Sequence, residues 1–192
     1  NNAILIDESA DLDLAIPAVV FGAVGTAGQR CTTTRRLFIH ASKYEDVVKR
    51  LHHAYEQITI GDPLDSRNVM GPLIDSEAVE QFKKAIVRIK EAGGRVIFGG
   101  EVLKQPGSFV QPALVTDVKN HWSIVQEETF APILYVMSYQ SFNEAIELHN
   151  SVPQGLSSAL FTQNLKNSEL FLSAGGSDCG IANINIGTSG AE

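Results

Sequence analysis

Phe21 to Arg36, F-G-A-V-G-T-A-G-Q-R-C-T-T-T-R-R, joins a stretch of helical periodicity to a stretch of strand character, with a cysteine between them. Upstream, Leu12, Ile16, Val19, Val20, Ala23, Val24 and Ala27 repeat at the spacing of one helix face. Pro17 sets the start of that helix near itself or kinks its first turn, because an interior proline costs about 3 kcal/mol. Downstream, Arg36 to His40, R-L-F-I-H, reads as a strand. Gly22, Gly25 and Gly28 stand three apart, which suits close packing of the helix against a neighbour as well as it suits a ligand-facing loop.

The same alternation extends in both directions. Asn1 to Asp7 carries A-I-L-I, the short apolar run of a buried parallel strand. Lys43 to Ile58 is an amphipathic helix, and Gly61 to Pro72 is a turn-rich surface loop whose work is connection. Asp75 to Ala92 is a long helix stopped by Gly93-Gly94, followed by a strand at Arg95 to Phe98. Extended segments at Phe109-Val110 and Ala113 to Val115 lead to I-L-Y-V-M-S-Y. Ser141 with Glu144 makes a capping box for a helix to Asn150. A strand at Ser158 to Thr162, a helix at Leu165 to Ala174 and a strand at Gly180 to Ile186 complete the series. The pattern predicts an α/β domain with a largely parallel sheet and helices on both faces. Sites in such a fold are expected at the carboxyl ends of strands and at helix termini.

Cys31 sits among small and polar residues beside Arg30, Arg35 and Arg36. The thiolate is the reacting species and neighbouring cations favour it, so Cys31 is a candidate nucleophile; the alternative is a cysteine buried as a small hydrophobe. The chain's net charge of -7 comes without a basic stripe, so no nucleic-acid partner is expected. No apolar run reaches the roughly 20 residues of a membrane span. Two distant cysteines, Cys31 and Cys179, make no disulfide framework, which fits a reducing intracellular compartment, cytoplasmic or mitochondrial. His52 and His53 have no second ligand pair, and no metal site is expected. Neither the dinucleotide fingerprint nor a P-loop is present.

Two longer runs carry a resemblance. G-T-A-G-Q-R-C-T-T-T-R-R, ending at Arg36, resembles the G-Q-x-C active-site motif of the NAD(P)-dependent aldehyde dehydrogenases. E-E-T-F-A-P, Glu127 to Pro132, resembles the second signature of that superfamily, E-E-x-F-G-P, with Ala131 in place of glycine. N-N-A-I at Asn1, G-P-L-I at Gly71 and N-I-N at Asn183 fall where the superfamily has comparable stretches, so the resemblance covers residues 1–192. Q-G-L-S-S, G-S-D-C-G-I and T-S-G-A-E are most similar to the antiquitin branch, the α-aminoadipic semialdehyde dehydrogenases, which shares the alanine.

That resemblance implies a catalytic domain in which Cys31 attacks an aldehyde carbon and its backbone N–H helps to hold the oxyanion. It implies NAD as cofactor, with Glu128 bonded to the nicotinamide ribose and Phe130 packed beside the nicotinamide. Arg30, Ser189, Gly190 and Ala191 are implied to hold the polar end of the semialdehyde, and the parent to be a homo-oligomer, a tetramer. Without the resemblance, Glu127-Glu128 reads as a solvated turn, Arg30 as a surface or pKa-lowering charge, and Cys179 as a buried structural thiol. The chain begins at Asn1, without methionine and just past the place where E-L-G-G supplies the family's general base. It is therefore expected to be a piece of a longer protein, nearly inactive without the dinucleotide-binding domain. Two alternatives stand beside this reading: a truncated, non-enzymatic interaction module, and a relative acting on another semialdehyde.

Overall fold

The computed structural model describes residues 1–189. Seven strands form one sheet in the order β3-β4-β5-β2-β1-β6-β7. They are β1 (Ala3–Ile6), β2 (Arg36–His40), β3 (Arg95–Phe98), β4 (Ala113–Thr116), β5 (Ile133–Tyr139), β6 (Ser157–Phe161) and β7 (Ile181–Ile184). All pairings are parallel except β3 with β4. Every residue of β1, β4 and β6 is buried, so both faces of the sheet are covered, as a parallel sheet requires.

The covering helices are α1 (Leu12–Val24), α2 (Tyr44–Glu56), α3 (Ser76–Glu91), α4 (Ser123–Gln126), α5 (Phe142–Asn150) and α6 (Leu165–Leu172). Asp75 caps α3 by accepting from Ala78 N (2.8 Å), and Phe82, Ile86 and Ile89 form its buried stripe. α1 departs from the expectation at Pro17. The helix starts at Leu12, where Asp11 accepts from Asp13 N (2.9 Å), and Pro17 stands inside it on the exposed side. The proline forfeits one bond to the Asp13 carbonyl, and water reaches that side of the helix. The Ser141 cap is also modified: Ser141 Oγ accepts from Glu144 N (3.3 Å), but Glu144 Oε2 receives Gln140 N (2.8 Å) rather than the cap's own N–H.

The two edges of the sheet differ in what connects the strands. At the carboxyl edge the links are mostly short: 7–11 after β1, 41–43 after β2, 117–122 after β4, 140–141 after β5 and 162–164 after β6. Buried Asp7 ties this edge together, accepting from Ser9 Oγ (2.7 Å), Asn167 Nδ2 (2.9 Å) and Thr162 Oγ1. At the amino edge the links are longer: 25–35, 127–132, 151–156 and 173–180. Cys31 lies on one of them, past the end of α1, so this candidate stands at a helix terminus and at the amino ends of the strands rather than at their carboxyl ends. The carboxyl edge is closed mostly by short turns, whereas the amino edge has the loop length to build a cleft.

Candidate functional site

The loop that presents Cys31 is held in a costly conformation. Past Val24 the backbone enters a 3-10 turn, Gly25–Gly28, in which Thr26, Ala27 and Gly28 all have left-handed φ values of 52°, 54° and 70°. For Thr and Ala this costs roughly 1–2 kcal/mol each, so the surroundings must impose it. Gln29 is one constraint. Its Nε2 donates to Thr26 O (3.1 Å) and Pro72 O (3.3 Å), while its Oε1 accepts from Ile74 N (2.8 Å). The Gly61 to Pro72 loop therefore does more than connect, because its end anchors the thiol loop.

The glycines divide by role. A Cβ on Gly28 would overlap the Ala131 carbonyl and stand 2.6 Å from Pro132 N, so only glycine lets this loop lie on the 127–132 loop. A Cβ on Gly22 would overlap Thr34 Oγ1, whereas at Gly25 nothing comes nearer than 3.8 Å. Close packing thus accounts for Gly22 and Gly28 but not for Gly25.

Asn2 holds the other side. Buried at the start of β1, it donates through Nδ2 to Cys31 O (2.7 Å) and Thr33 O (2.9 Å). Its Oδ1 accepts from Leu156 N (3.1 Å) and Ser157 N (2.9 Å). Cys31 itself is exposed, in a cleft of about 450 Å³ shared with Glu127, Glu128, Gln154 and Leu156. Among the described residues its backbone N–H has no acceptor.

The three arginines near the thiol separate in space. Arg36 is fully buried and donates to Asn1 O, Asn120 Oδ1 and the last-turn carbonyls of α5, Leu148 O (3.1 Å) and His149 O (3.0 Å). Burial lowers its pKa to about 10. Arg30 lies over the Phe21 ring, 5.3 Å from its centroid, and lines a separate apolar groove along α1. Arg35 reaches the Glu128 side of the cleft wall. It donates to Glu128 Oε1 from Nε (3.3 Å) and Nη2 (3.1 Å), and its Cζ stands 5.0 Å from the Phe130 ring centroid. Burial lowers its pKa, and the adjacent Glu128 carboxylate works in the opposite direction.

Cys31 and Glu128 therefore share one cleft, while Phe130, held against Arg35, lines a neighbouring pocket with Gln29, Ile74 and Thr129. Glu127 diverges to pair with Arg88 Nη1 (2.7 Å) on α3, where the ion pair holds its pKa below the usual carboxylate value. Past β7 the chain reverses at Asn185 (φ 57°) and brings Thr188 Oγ1 to 2.7 Å from Thr34 Oγ1 and Ser189 Oγ to 3.3 Å from Thr32 Oγ1. Ser189 thus meets the thiol loop, while Gly190 and Ala191 lie outside the described residues. Cys179 is half-buried rather than buried, 3.7 Å from His149 Nε2. Asn2 and Arg88 escaped the sequence reading, and Arg35 was seen only as charge. An asparagine just before a fully apolar strand was the one available signal for Asn2.

The Aldehyde dehydrogenase family profile matches residues 1–192. The chain is 52% identical over its whole length to an alpha-aminoadipic semialdehyde dehydrogenase of Mus musculus and 51% identical to a putative aldehyde dehydrogenase family 7 member A1 homolog of Caenorhabditis elegans. It spans 36% of the length of each. Among solved structures, a 1-pyrroline-5-carboxylate dehydrogenase from Thermus with bound NAD superimposes with a TM-score of 0.94 at 31% identity, over 100% of this chain and 36% of that one. A lactaldehyde dehydrogenase gives 0.94 at 33%, over 100% and 40%.

Proposed function

The chain belongs to the aldehyde dehydrogenase family, a family of oxidoreductases, and from that premise we propose that it is the catalytic domain of an enzyme that oxidises α-aminoadipic semialdehyde with NAD. The single observation that carries the reading is the shared cleft: an exposed thiol whose backbone N–H has no acceptor among the described residues, in one cleft with a carboxylate that those residues tether by only one of its oxygens.

Cys31 Sγ bonds to the aldehyde carbon, and the carbonyl oxygen becomes an oxyanion within reach of the Cys31 N–H. Loss of hydride from that carbon leaves a thioester on Cys31, and water cleaves it to the carboxylic acid and the free thiol. The residues present fit the cofactor: Glu128 Oε2, without a partner among the described residues, suits ribose hydroxyls, and Phe130 offers an exposed aromatic face. NAD, when bound, supplies the hydride acceptor. The family resemblance assigns the substrate's polar end to Arg30, Ser189, Gly190 and Ala191; Arg30 lies in the groove along α1, so a substrate bonded to Cys31 meets its fork only by extending out of the cleft toward that groove. The general base for thioester cleavage and the dinucleotide-binding domain come from elsewhere in the parent, a homo-oligomer.

The test is steady-state turnover of the intact enzyme with NAD and α-aminoadipic semialdehyde, beside a panel of other semialdehydes. Cys31→Ala is expected to lower kcat by at least about 10³-fold. Turnover that survives this change would remove Cys31 from the chemistry, and a better substrate in the panel would replace the assigned one.

A further inference from the structure

Arg35 does more than tether Glu128. Its side chain is only 2% exposed, and one guanidinium meets both loops of the cleft. Nε and Nη2 converge on Glu128 Oε1 (3.3 and 3.1 Å), leaving Oε2 without a partner among the described residues. Nη1 donates to Gly28 O (3.3 Å) and Nη2 to Arg30 O (3.3 Å), the carbonyls on either side of Gln29 in the loop that presents Cys31. Its π-face contact with Phe130 adds the next residue but one of the Glu128 loop. A planar fork with five donors can serve all these partners at once; a lysine ammonium cannot span them.

We propose that Arg35 is a positioning residue that holds the Glu128 carboxylate with one oxygen free for the cofactor ribose and locks that carboxylate to the thiol loop. The two halves of the hydride-transfer site are then aligned before any ligand arrives, so the ordering cost does not fall on cofactor binding. The proposal rests on the reading of Glu128 as the ribose ligand.

A double-variant cycle in the intact enzyme tests it, using Arg35→Met, Glu128→Gln and the pair together, with KM for NAD, KM for the aldehyde and kcat measured separately. Each single change is expected to raise KM for NAD about tenfold, the pair no more than either alone, and KM for the aldehyde to stay within about threefold. Arg35→Lys, which keeps the charge without the fork, is expected to stay near Arg35→Met; full rescue by Lys would overturn the geometric argument. A pair effect near the product of the two, about a hundredfold, would overturn the coupling. An unchanged KM for NAD in Arg35→Met beside a raised one in Glu128→Gln would overturn the positioning role and leave the ribose assignment standing. No change in Glu128→Gln would overturn both. If Arg35→Met does not fold, Arg35→Lys completes the same cycle.

Discussion

His149 is a neutral imidazole by environment. It is buried beside Phe171, near Arg36, with Nε2 2.8 Å from Ser177 Oγ and Nδ1 without a partner among the described residues. Burial, reinforced by Arg36, lowers its pKa from 6.5 to about 3. The unfolded chain therefore takes up a proton near pH 6.5 that the folded chain refuses until about pH 3, and stability falls as pH drops through that window. One proton of difference is worth about 1.4 kcal/mol per pH unit. Between pH 6.5 and 4.5, urea unfolding of His149→Gln is expected to lose roughly 2 kcal/mol less than the parent chain. Equal losses would mean that His149 is charged in the folded state. The two thiols are separable at the same scale. Cys31 is exposed, whereas the Sγ of Cys179 packs so closely on Gly155 that a Cβ there would stand 2.8 Å away. Iodoacetamide at neutral pH is expected to alkylate Cys31 at least about tenfold faster, read by mass spectrometry of the two peptides. Equal rates would count against an activated thiol and favour a purely structural role.

Among the elements, the turn between α1 and β2 is where the residue types and the backbone disagree most. Gly28→Ala combines a left-handed φ with overlap of the Ala131 carbonyl, and is expected to cost about 2–5 kcal/mol. Gly25→Ala, with a φ of -51° and no close neighbour, is expected to fall within about 1 kcal/mol of the parent. Thermal unfolding of both variants distinguishes a turn dictated by contact with the 127–132 loop from one dictated by glycine content alone. The elements themselves were legible because their signals are local: Asp75 and Gly93 bracket α3, and A-I-L-I is wholly apolar. Pro17 misled because propensity does not say which side of a helix faces water. Thr26 and Ala27 carry no signal at all, since their left-handed backbone is imposed by Gln29 and Gly28 through contacts distant in sequence.

Across the whole molecule, Arg36 is the hub that joins β2 to the 119–121 segment and to the end of α5. Arg36→Met would leave Asn1 O, Asn120 Oδ1, Leu148 O and His149 O without this donor. The expected loss is about 3–5 kcal/mol in urea unfolding, and a loss under 1 kcal/mol would show that water takes over these carbonyls. The cleft was legible only as two motifs, because periodicity does not say on which edge of a sheet the long connections fall. That edge assembles from remote partners: Asn2 bonds Ser157, Thr34 bonds Thr188, and Thr32 meets Ser189. Thr32 and Ser189 are 157 positions apart. At roughly 5–20 residues per second of ribosomal synthesis, about 8–30 s separate the birth of the Cys31 loop from that of its Ser189 contact. During that interval Cys31 is already made, and its loop, held by Asn2 and Gln29, waits on the translation of residue 189 for the Thr32–Ser189 contact.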